Sequence, residues 1–362
     1  MPLFFFLIPS AYREETFMRK QLLNKTNIEV SELCLGTMTF GEQNNISESH
    51  QILDYALDHE INFFDTAEMY PIPPKAETHF KTEEIIGKWA NFNQKRSDII
   101  LATKVIGPSS FMTYIRGGSK SIKDNMREAL EGSLRRLQTD YIDLYQLHWP
   151  ARPTNFFGQL EYTYPSALKD DQIYDTIMAF EELKKEGLIR SYGVSNETPW
   201  GLMKYQEISK SEGFTGISTV QNPYSLLNRT FEIGMSEICH RENIQLLAYS
   251  PLGFGVLSGK YINNSSTPND RLNLFPDYQR YSNPTAVNAT KKYLDLSLQH
   301  NISLTQMALQ FVTSRKFLVS NIIGATNITQ LKENIDSVNL NLSKELLTEI
   351  EKIHNESPNP SP

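Results

Sequence analysis

Cysteine is scarce in this chain, and it has neither a membrane-length apolar run nor a glycine-rich nucleotide-binding turn. Only two of its 362 residues are cysteines, Cys34 and Cys239, and they lie far apart, so no disulfide framework or metal-ligand cluster can be read from them. The apolar segment 3–8 is too short to span a bilayer, and no basic residue precedes it as in a secretory signal. We therefore expect reduced, buried thiols, no metal, no membrane partner and a cytoplasmic protein.

The charge balance is acidic, with a formal net charge of −7 at pH 7. A basic footprint for nucleic acid or an anionic surface is thus missing, and we expect no nucleic-acid partner. Hydrophobic content of 40% and charged content of 21% are ordinary for a soluble globular protein.

Apolar stretches and helical patterns alternate along the whole chain. Eight apolar runs lack strict alternation, as expected for parallel strands that are buried on both faces. Helical periodicity lies between them, for example over 51–59, 122–137, 173–186, 231–241 and 303–314. The eight runs cover residues 33–35, 61–66, 99–105, 142–149, 191–195, 218–221, 246–249 and 320–323. This pattern predicts an α/β fold, a (β/α)8 TIM barrel.

The competing layout is a doubly wound nucleotide-binding sheet, which normally has a G-x-G-x-x-G turn after its first strand. No such motif occurs, and Gly36 to Gly41 is too poor in glycine to cradle a phosphate. We expect one barrel over residues 18–354, preceded by an extension of uncertain status (1–17) and followed by a flexible, proline-rich tail (355–362). Long insertions at 107–120 and 151–166 are expected to form loops at the C-terminal face of the barrel.

Four residues at or after the ends of successive strands form a set suited to carbonyl reduction. Negative charge that develops on the carbonyl oxygen requires a proton donor, and Tyr70 is the candidate. Lys104 is the cation expected to lower the pKa of Tyr70, and Asp65 is expected to hold Lys104 by an ion pair. His148 would orient the carbonyl. Each residue alone has an ordinary structural explanation, such as a helix cap or a core histidine, so the combination carries the prediction.

These motifs resemble those of the aldo-keto reductases, in particular the bacterial Tas-type NADP(H)-dependent members. The likeness spans residues 18–354 and is most specific over Leu35–Gln43, Ala67–Pro71, His148–Asn155 and Gln221–Arg229. It implies NADPH-dependent reduction of an aldehyde or ketone, with Tyr70 as general acid and Lys104, Asp65 and His148 in the roles above.

The same resemblance places NADP(H) in an extended conformation across the barrel mouth. Ser195, Asn196 and Gln221 match positions that bind the nicotinamide carboxamide, and Tyr249 matches the aromatic residue that stacks on the ring. Many relatives carry Arg or Lys where this chain has Gly324, Thr326 and Gln330, so the preference for NADP over NAD rests on helix geometry, Lys260 and Arg271. The remaining expected cofactor positions are Gly36, Thr37, Met38, Ser250, Pro251, Leu252, Gly253, Phe254, Glu333 and Asn334.

An apolar substrate pocket is expected from five side chains: Met69, Trp149, Phe156, Phe157 and Tyr162. Such a pocket suits many carbonyl compounds, so the physiological substrate and the oligomeric state stay open. Potassium-channel β-subunits also resemble aldo-keto reductases, and the alternative function is therefore a cofactor-binding regulatory module with little turnover.

Overall fold

The computed structural model describes residues 18–118, 121–166 and 172–361. A short antiparallel hairpin, β1 (Lys20–Leu22) and β2 (Glu29–Ser31), precedes eight parallel strands that close into a barrel in the order β3 to β10, with β10 beside β3. The barrel strands are β3 (Leu33–Gly36), β4 (Phe63–Asp65), β5 (Ile100–Val105), β6 (Ile142–Leu147), β7 (Ile189–Ser195), β8 (Thr219–Pro223), β9 (Gln245–Tyr249) and β10 (Leu318–Ile323). The predicted (β/α)8 barrel is thus confirmed.

Two layers of apolar side chains explain why the strands read as continuous apolar runs. Every residue of β5 and β6 is buried, because one face points into the barrel and the other packs on helices. The inner layer includes Cys34, Phe63 and Leu144 together with Leu23 and Val30 from the hairpin region. Gln245, the first residue of β9, donates a hydrogen bond to the carbonyl oxygen of Leu22 at 3.2 Å. The hairpin therefore closes the N-terminal end of the barrel.

Several helices begin at a residue whose side chain accepts a hydrogen bond from a free backbone N–H group. Asn45 and Glu48 form a reciprocal capping box, so the first helix starts before the expected residue 51. Thr198, Asn283 and Ser343 each cap a further helix through a single side-chain acceptor. The helices are α1 (Ile46–Asp58), α2 (Lys81–Gly87), α3 (Ala90–Gln94), α4 (Ile122–Leu137), α5 (Ile173–Lys185), α6 (Pro199–Glu212), α7 (Phe231–Glu242), α8 (Arg271–Leu274), α9 (Pro284–Gln299), α10 (Leu304–Thr313), α11 (Ile328–Asp336) and α12 (Lys344–Glu356). No helix in these ranges is long and apolar enough to cross a membrane.

The C-terminal segment differs from the flexible tail expected from its proline content. Asn359 accepts a hydrogen bond from the backbone N–H of Arg229 at 2.6 Å, and Ser361 N–H donates to Leu227 O at 3.1 Å. Asn283 donates to Pro360 O at 2.8 Å, and Ser361 is fully buried. These contacts hold residues 359–361 against the barrel. The expected extension 1–17 and the terminal residue 362 lie outside the described residues.

Candidate active site

The four predicted catalytic residues meet at the C-terminal ends of β4, β5 and β6. Asp65 ends β4, Lys104 lies near the end of β5, and His148 directly follows β6. Tyr70 comes from the turn after β4, and its ring lies edge-on to that of His148 with centroids 5.7 Å apart. Parallel strands therefore bring residues separated by up to 83 positions into one group.

Lys104 is fully buried and makes an ion pair with Asp65. Its Nζ lies 2.5 Å from Asp65 Oδ2 and donates a second hydrogen bond, of 2.8 Å, to the carbonyl oxygen of Thr66. Burial acts to lower the pKa of Lys104, but the Asp65 carboxylate offsets this effect and the pKa is raised. Lys104 thus keeps its proton, and Asp65 fixes where the ammonium group lies.

Tyr70 packs with its ring facing this ammonium group, and Lys104 Nζ is 5.0 Å from the ring centroid. Burial raises the pKa of Tyr70 above its usual value, Lys104 acts to lower it, and Asp65 acts to raise it again. The expected depression of the Tyr70 pKa is therefore not found, because burial is the stronger effect and Asp65 partly cancels the lysine charge. The phenol is protonated at neutral pH, as a proton donor must be.

His148 is a neutral imidazole in this environment. Burial, and then the positive charge of Lys104, hold the pKa of His148 well below its usual value. Its Nδ1 atom is buried and finds no hydrogen-bond partner within the described part of the chain. A neutral imidazole beside Tyr70 can hydrogen-bond a substrate without adding charge.

Two amide side chains donate hydrogen bonds to the Asp65 carboxylate of this ion pair. Gln221 donates to Asp65 Oδ1 at 2.9 Å, and Gln146 reaches the same oxygen at 3.4 Å. The resemblance placed Gln221 against the nicotinamide, whereas in the structure its Nε2 is engaged with Asp65. Gln146 was not singled out from the sequence, although its place in β6 just before the His148 motif puts it on the inner face.

Ser195, Asn196 and Tyr249 form the neighbouring part of the mouth, at the ends of β7 and β9. Asn196 donates to His148 O at 2.8 Å and to Ser195 Oγ at 3.1 Å. Tyr249 donates its hydroxyl hydrogen to Asn196 Oδ1 at 2.6 Å. Asn196 has a φ of 55°, which turns the chain at the end of β7 and points the amide towards this network. These contacts link the end of β7 with the segment after β6 and with the end of β9.

A tight turn follows β9. Ser250, Gly253 and Phe254 have φ values of 55°, 52° and 57°, and Gly253 N–H donates to Ser250 O at 2.9 Å. The other expected residues of this turn, Pro251 and Leu252, lie between them.

The two expected cations of this region are placed differently. Lys260 Nζ lies 2.5 Å from Asp270 Oδ1, so its charge is already paired. The guanidinium carbon of Arg271 lies 4.6 Å from the ring centroid of Phe254, and its Nε is buried with no hydrogen-bond partner among the described residues. Arg271 is therefore the cation better placed to meet an anion.

The expected cofactor positions between Gly324 and Asn334 follow β10 and extend into α11. Thr326 donates through its backbone N–H and its hydroxyl to Gln330 Oε1, at 3.0 and 3.1 Å. Asn334 donates to Gly324 O at 3.0 Å, whereas Glu333 accepts from Ser303 at 2.7 Å. Glu333 thus serves the start of α10 in this structure.

Gly36, Thr37 and Met38 lie where β3 ends. A Cβ on Gly36 would be 2.9 Å from Ile322, so β3 and β10 pack closely there. Thr37 donates to Asp65 O through its hydroxyl at 2.8 Å, and Met38 O accepts from Ile72 N–H at 2.9 Å. These residues support the Asp65 and Tyr70 segments in addition to lining the mouth.

The expected substrate pocket is assembled in part. Met69 and Trp149 are buried in one apolar cluster, and Phe156 packs against it. The Phe157 ring lies 5.9 Å from that of Trp149 and 5.0 Å from that of Phe156. The Tyr162 ring pairs with that of Tyr164, with centroids 5.2 Å apart.

Comparisons with known proteins agree with this geometry. Residues 32–355 match the aldo/keto reductase family. Protein tas of Escherichia coli (strain K12) is 45% identical over 346 residues, which cover 95% of this chain and all of that protein. An uncharacterised oxidoreductase of Bacillus subtilis, YrpG, is 34% identical over 91% of this chain and 94% of its own length. The NADH-specific methylglyoxal reductase of E. coli is 26% identical over 90% and 95%, respectively. The resemblance inferred from the motifs is confirmed.

Proposed function

The chain belongs to the aldo/keto reductase family, and from this we propose that it reduces an aldehyde or ketone to the alcohol with NADPH and a proton from Tyr70. Family membership supports an oxidoreductase that acts on carbonyl compounds with a nicotinamide cofactor. The proton donor, the cofactor preference and the residue roles are our proposal.

One observation carries the proposal, namely the buried arrangement of Tyr70, Lys104 and Asp65. Lys104 Nζ lies 2.5 Å from Asp65 and 5.0 Å from the Tyr70 ring centroid. The phenol starts protonated, and Lys104 is in place to stabilise the negative charge that develops as the proton leaves. Since water is excluded, that stabilisation is stronger than the same charge would give at the surface.

The bound nicotinamide would supply hydride to the carbonyl carbon. Tyr70 would donate a proton to the carbonyl oxygen, and neutral His148 would hydrogen-bond the same oxygen and orient it. Asp65, held by Gln221, keeps Lys104 beside Tyr70 throughout. Met69, Trp149, Phe156 and Phe157 would exclude water from the substrate.

We assign an extended dinucleotide to the half of the barrel mouth that β7 to β10 form. Ser195 and Gln221 are register partners on β7 and β8, and Pro223 pairs with Tyr249 on β9. Arg271 Nε and His148 Nδ1 are buried and have no hydrogen-bond partner among residues 18–118, 121–166 and 172–361, so a ligand could satisfy both atoms. A carboxamide would lie near Asn196, a pyrophosphate near the 250–254 turn, and the adenosine end near Gly324–Gln330.

We expect a preference for NADP over NAD, although one relative is named as NADH-specific. Arg271, whose Nε is buried without a hydrogen-bond partner among the described residues, supports binding of a phosphate group. Titration with both NADPH and NADH decides between them.

The direct test is a fluorescence titration of the purified protein with NADPH, followed in the same cuvette by a panel of aldehydes and ketones. We expect saturable NADPH binding, weaker NADH binding, and NADPH oxidation that depends on the carbonyl compound. Binding without turnover would favour the regulatory function over the reductase. Absence of binding would contradict the cofactor assignment.

A further inference from the structure

The Tyr70 turn packs in its own apolar cluster, separate from the main core. The cluster joins Met69 and Tyr70 with Met112 and Ile115 from the loop after β5, and with Trp149 from the loop after β6. Trp149 Nε1 donates to the carbonyl oxygen of Pro108 at 3.1 Å, which ties these two loops together. The loop over 107–118 therefore helps to hold the Tyr70 turn in place.

Glu68, two residues before Tyr70, is the polar centre of this assembly. Its side chain is fully buried, and Oε1 accepts from the backbone N–H of Ile106 at 2.8 Å. Arg116 donates to both carboxylate oxygens at 2.6 Å, which makes a bidentate ion pair. The backbone of Glu68 is also paired, since its N–H donates to Lys104 O at 3.2 Å and its carbonyl accepts from Phe80 N–H at 3.1 Å. One residue thus connects the Tyr70 turn with β5, the 107–118 loop and the segment before α2.

The charge of Glu68 is neutralised locally by Arg116. The charges with the largest effects on the pKa of Tyr70 are those of Lys104, Asp65 and Arg271. Glu68 and Arg116 are therefore placed to act on the position of Tyr70 rather than on its proton affinity.

We propose that Glu68 and Arg116 are positioning residues that brace Tyr70 for proton transfer to the substrate. The proposal rests on the proposed reductase function. Glu68 and Arg116 are 48 positions apart, and their ion pair joins the turn that carries the acid to a loop of the pocket. When the pair is broken, the turn and the loop move independently, and a displacement of about 1 Å can lower turnover about 10²-fold.

The test uses Glu68→Gln, which keeps the shape of the side chain and removes its charge. We expect kcat for a small aldehyde to fall about 10-fold or more, while the dissociation constant for NADPH stays within about twofold. The pH profile of kcat should keep its shape, since Glu68 does not set the Tyr70 pKa. Hydrogen exchange should accelerate together over residues 66–72 and 106–118.

Asp143→Asn is the matched control. Asp143 is also a fully buried carboxylate with arginine partners, Arg96 at 2.9 Å and Arg190 at 2.6 Å, but it lies at the start of β6, at the opposite end of the barrel. We expect it to lose stability without loss of kcat. Arg116→Lys keeps the charge but loses the bidentate geometry, so an intermediate fall of kcat is expected; it also carries the test if Glu68→Gln does not fold.

Equal kcat in Glu68→Gln, Asp143→Asn and the unaltered protein would overturn the proposal. A parallel loss of NADPH affinity and kcat would overturn it as well, since the whole site would then be disturbed. If the unaltered protein reduces no carbonyl compound, the reductase function fails. The hydrogen-exchange data still test whether the Glu68–Arg116 pair holds the Tyr70 turn, and unchanged exchange over 66–72 in Glu68→Gln would contradict that role.

Discussion

Lys104 is held between two oxygen atoms while its ammonium group faces the ring of Tyr70. A fully buried lysine without a partner carries a large desolvation cost, and the Asp65 carboxylate at 2.5 Å offsets it. Burial raises the resting pKa of Tyr70 more than Lys104 lowers it, and the Asp65 carboxylate acts against the lysine charge. Lys104 is thus placed to stabilise the negative charge that would develop on Tyr70 in the proposed transition state. In the ligand-free protein it does not bring the pKa of Tyr70 below its usual value.

The pH dependence of reduction tests this balance. The acid form of Tyr70 is required and its pKa is raised from 10.0, so kcat should fall only as the pH rises above about 10. His148 has its pKa held well below 6.5 and stays neutral down to acidic pH. We expect a kcat profile without inflection between about pH 6.5 and 10. An inflection near pH 8 that Tyr70→Phe abolishes would instead show that Lys104 lowers the pKa of Tyr70 more than burial raises it.

The sequence predicted which side chains meet at the strand ends but not their surroundings. Asp65, Lys104 and His148 each stand at a strand end, which local patterns reveal. The strength of burial around Tyr70 and the pairing of Glu68 with Arg116 depend on contacts between distant segments, and no local pattern contains them. Tyr162 was assigned to the pocket because it lies on an aromatic loop, yet the path of that loop decides which way its ring points.

At the level of elements, the eight barrel strands and α4 could be predicted because buried parallel strands and amphipathic helices have clear periods. The α4 bounds, Ile122–Leu137, equal the predicted range. The β1–β2 hairpin was missed, since each strand has only three residues and its partner contacts lie at the far end of the barrel. The N-cap residues Thr198, Asn283 and Ser343 mark the starts of α6, α9 and α12 in the sequence, but a prediction from hydrophobic periodicity alone does not take them into account.

The close approach of the loop after β5 to the loop after β6 is tested by Gly107→Ala. A Cβ at residue 107 would lie 2.5 Å from both the Trp149 carbonyl oxygen and its indole ring. The two loops would have to separate, and we expect a loss of about 1–3 kcal/mol in the free energy of unfolding. Urea denaturation of the ligand-free protein measures this.

Gly324→Ala is the matched control for that substitution, since a Cβ there meets nothing within 4 Å. Its free energy of unfolding should change by less than about 0.5 kcal/mol. Equal stability of the two variants would contradict the close contact at Gly107.

On the scale of the whole molecule, the barrel mouth is divided between the proposed proton-donor site on β4 to β6 and the proposed cofactor groove on β7 to β10. The hydrogen bond from Asn196 to His148 O crosses the boundary between the halves. The C-terminal segment lies beside the groove half, where Asn359 and Ser361 contact the segment Leu227–Arg229 after β8 and Asn283 before α9.

Removal of residues 359–362 tests whether that segment stabilises the fold. The truncation leaves the backbone N–H of Arg229 without the Asn359 oxygen and removes three further hydrogen bonds, two from Asn283 and one to Leu227. We expect about 1–3 kcal/mol less stability by urea denaturation. Removal of residue 362 alone serves as the control. A mobile tail predicts no difference between the two truncations.

The central claim is that Tyr70 donates the proton in a carbonyl reduction, and kinetics of Tyr70→Phe test it most directly. The substitution keeps the ring in its cluster and facing Lys104, so NADPH affinity should stay within about twofold while kcat falls by roughly 10² or more. Turnover close to that of the unaltered protein would contradict the account.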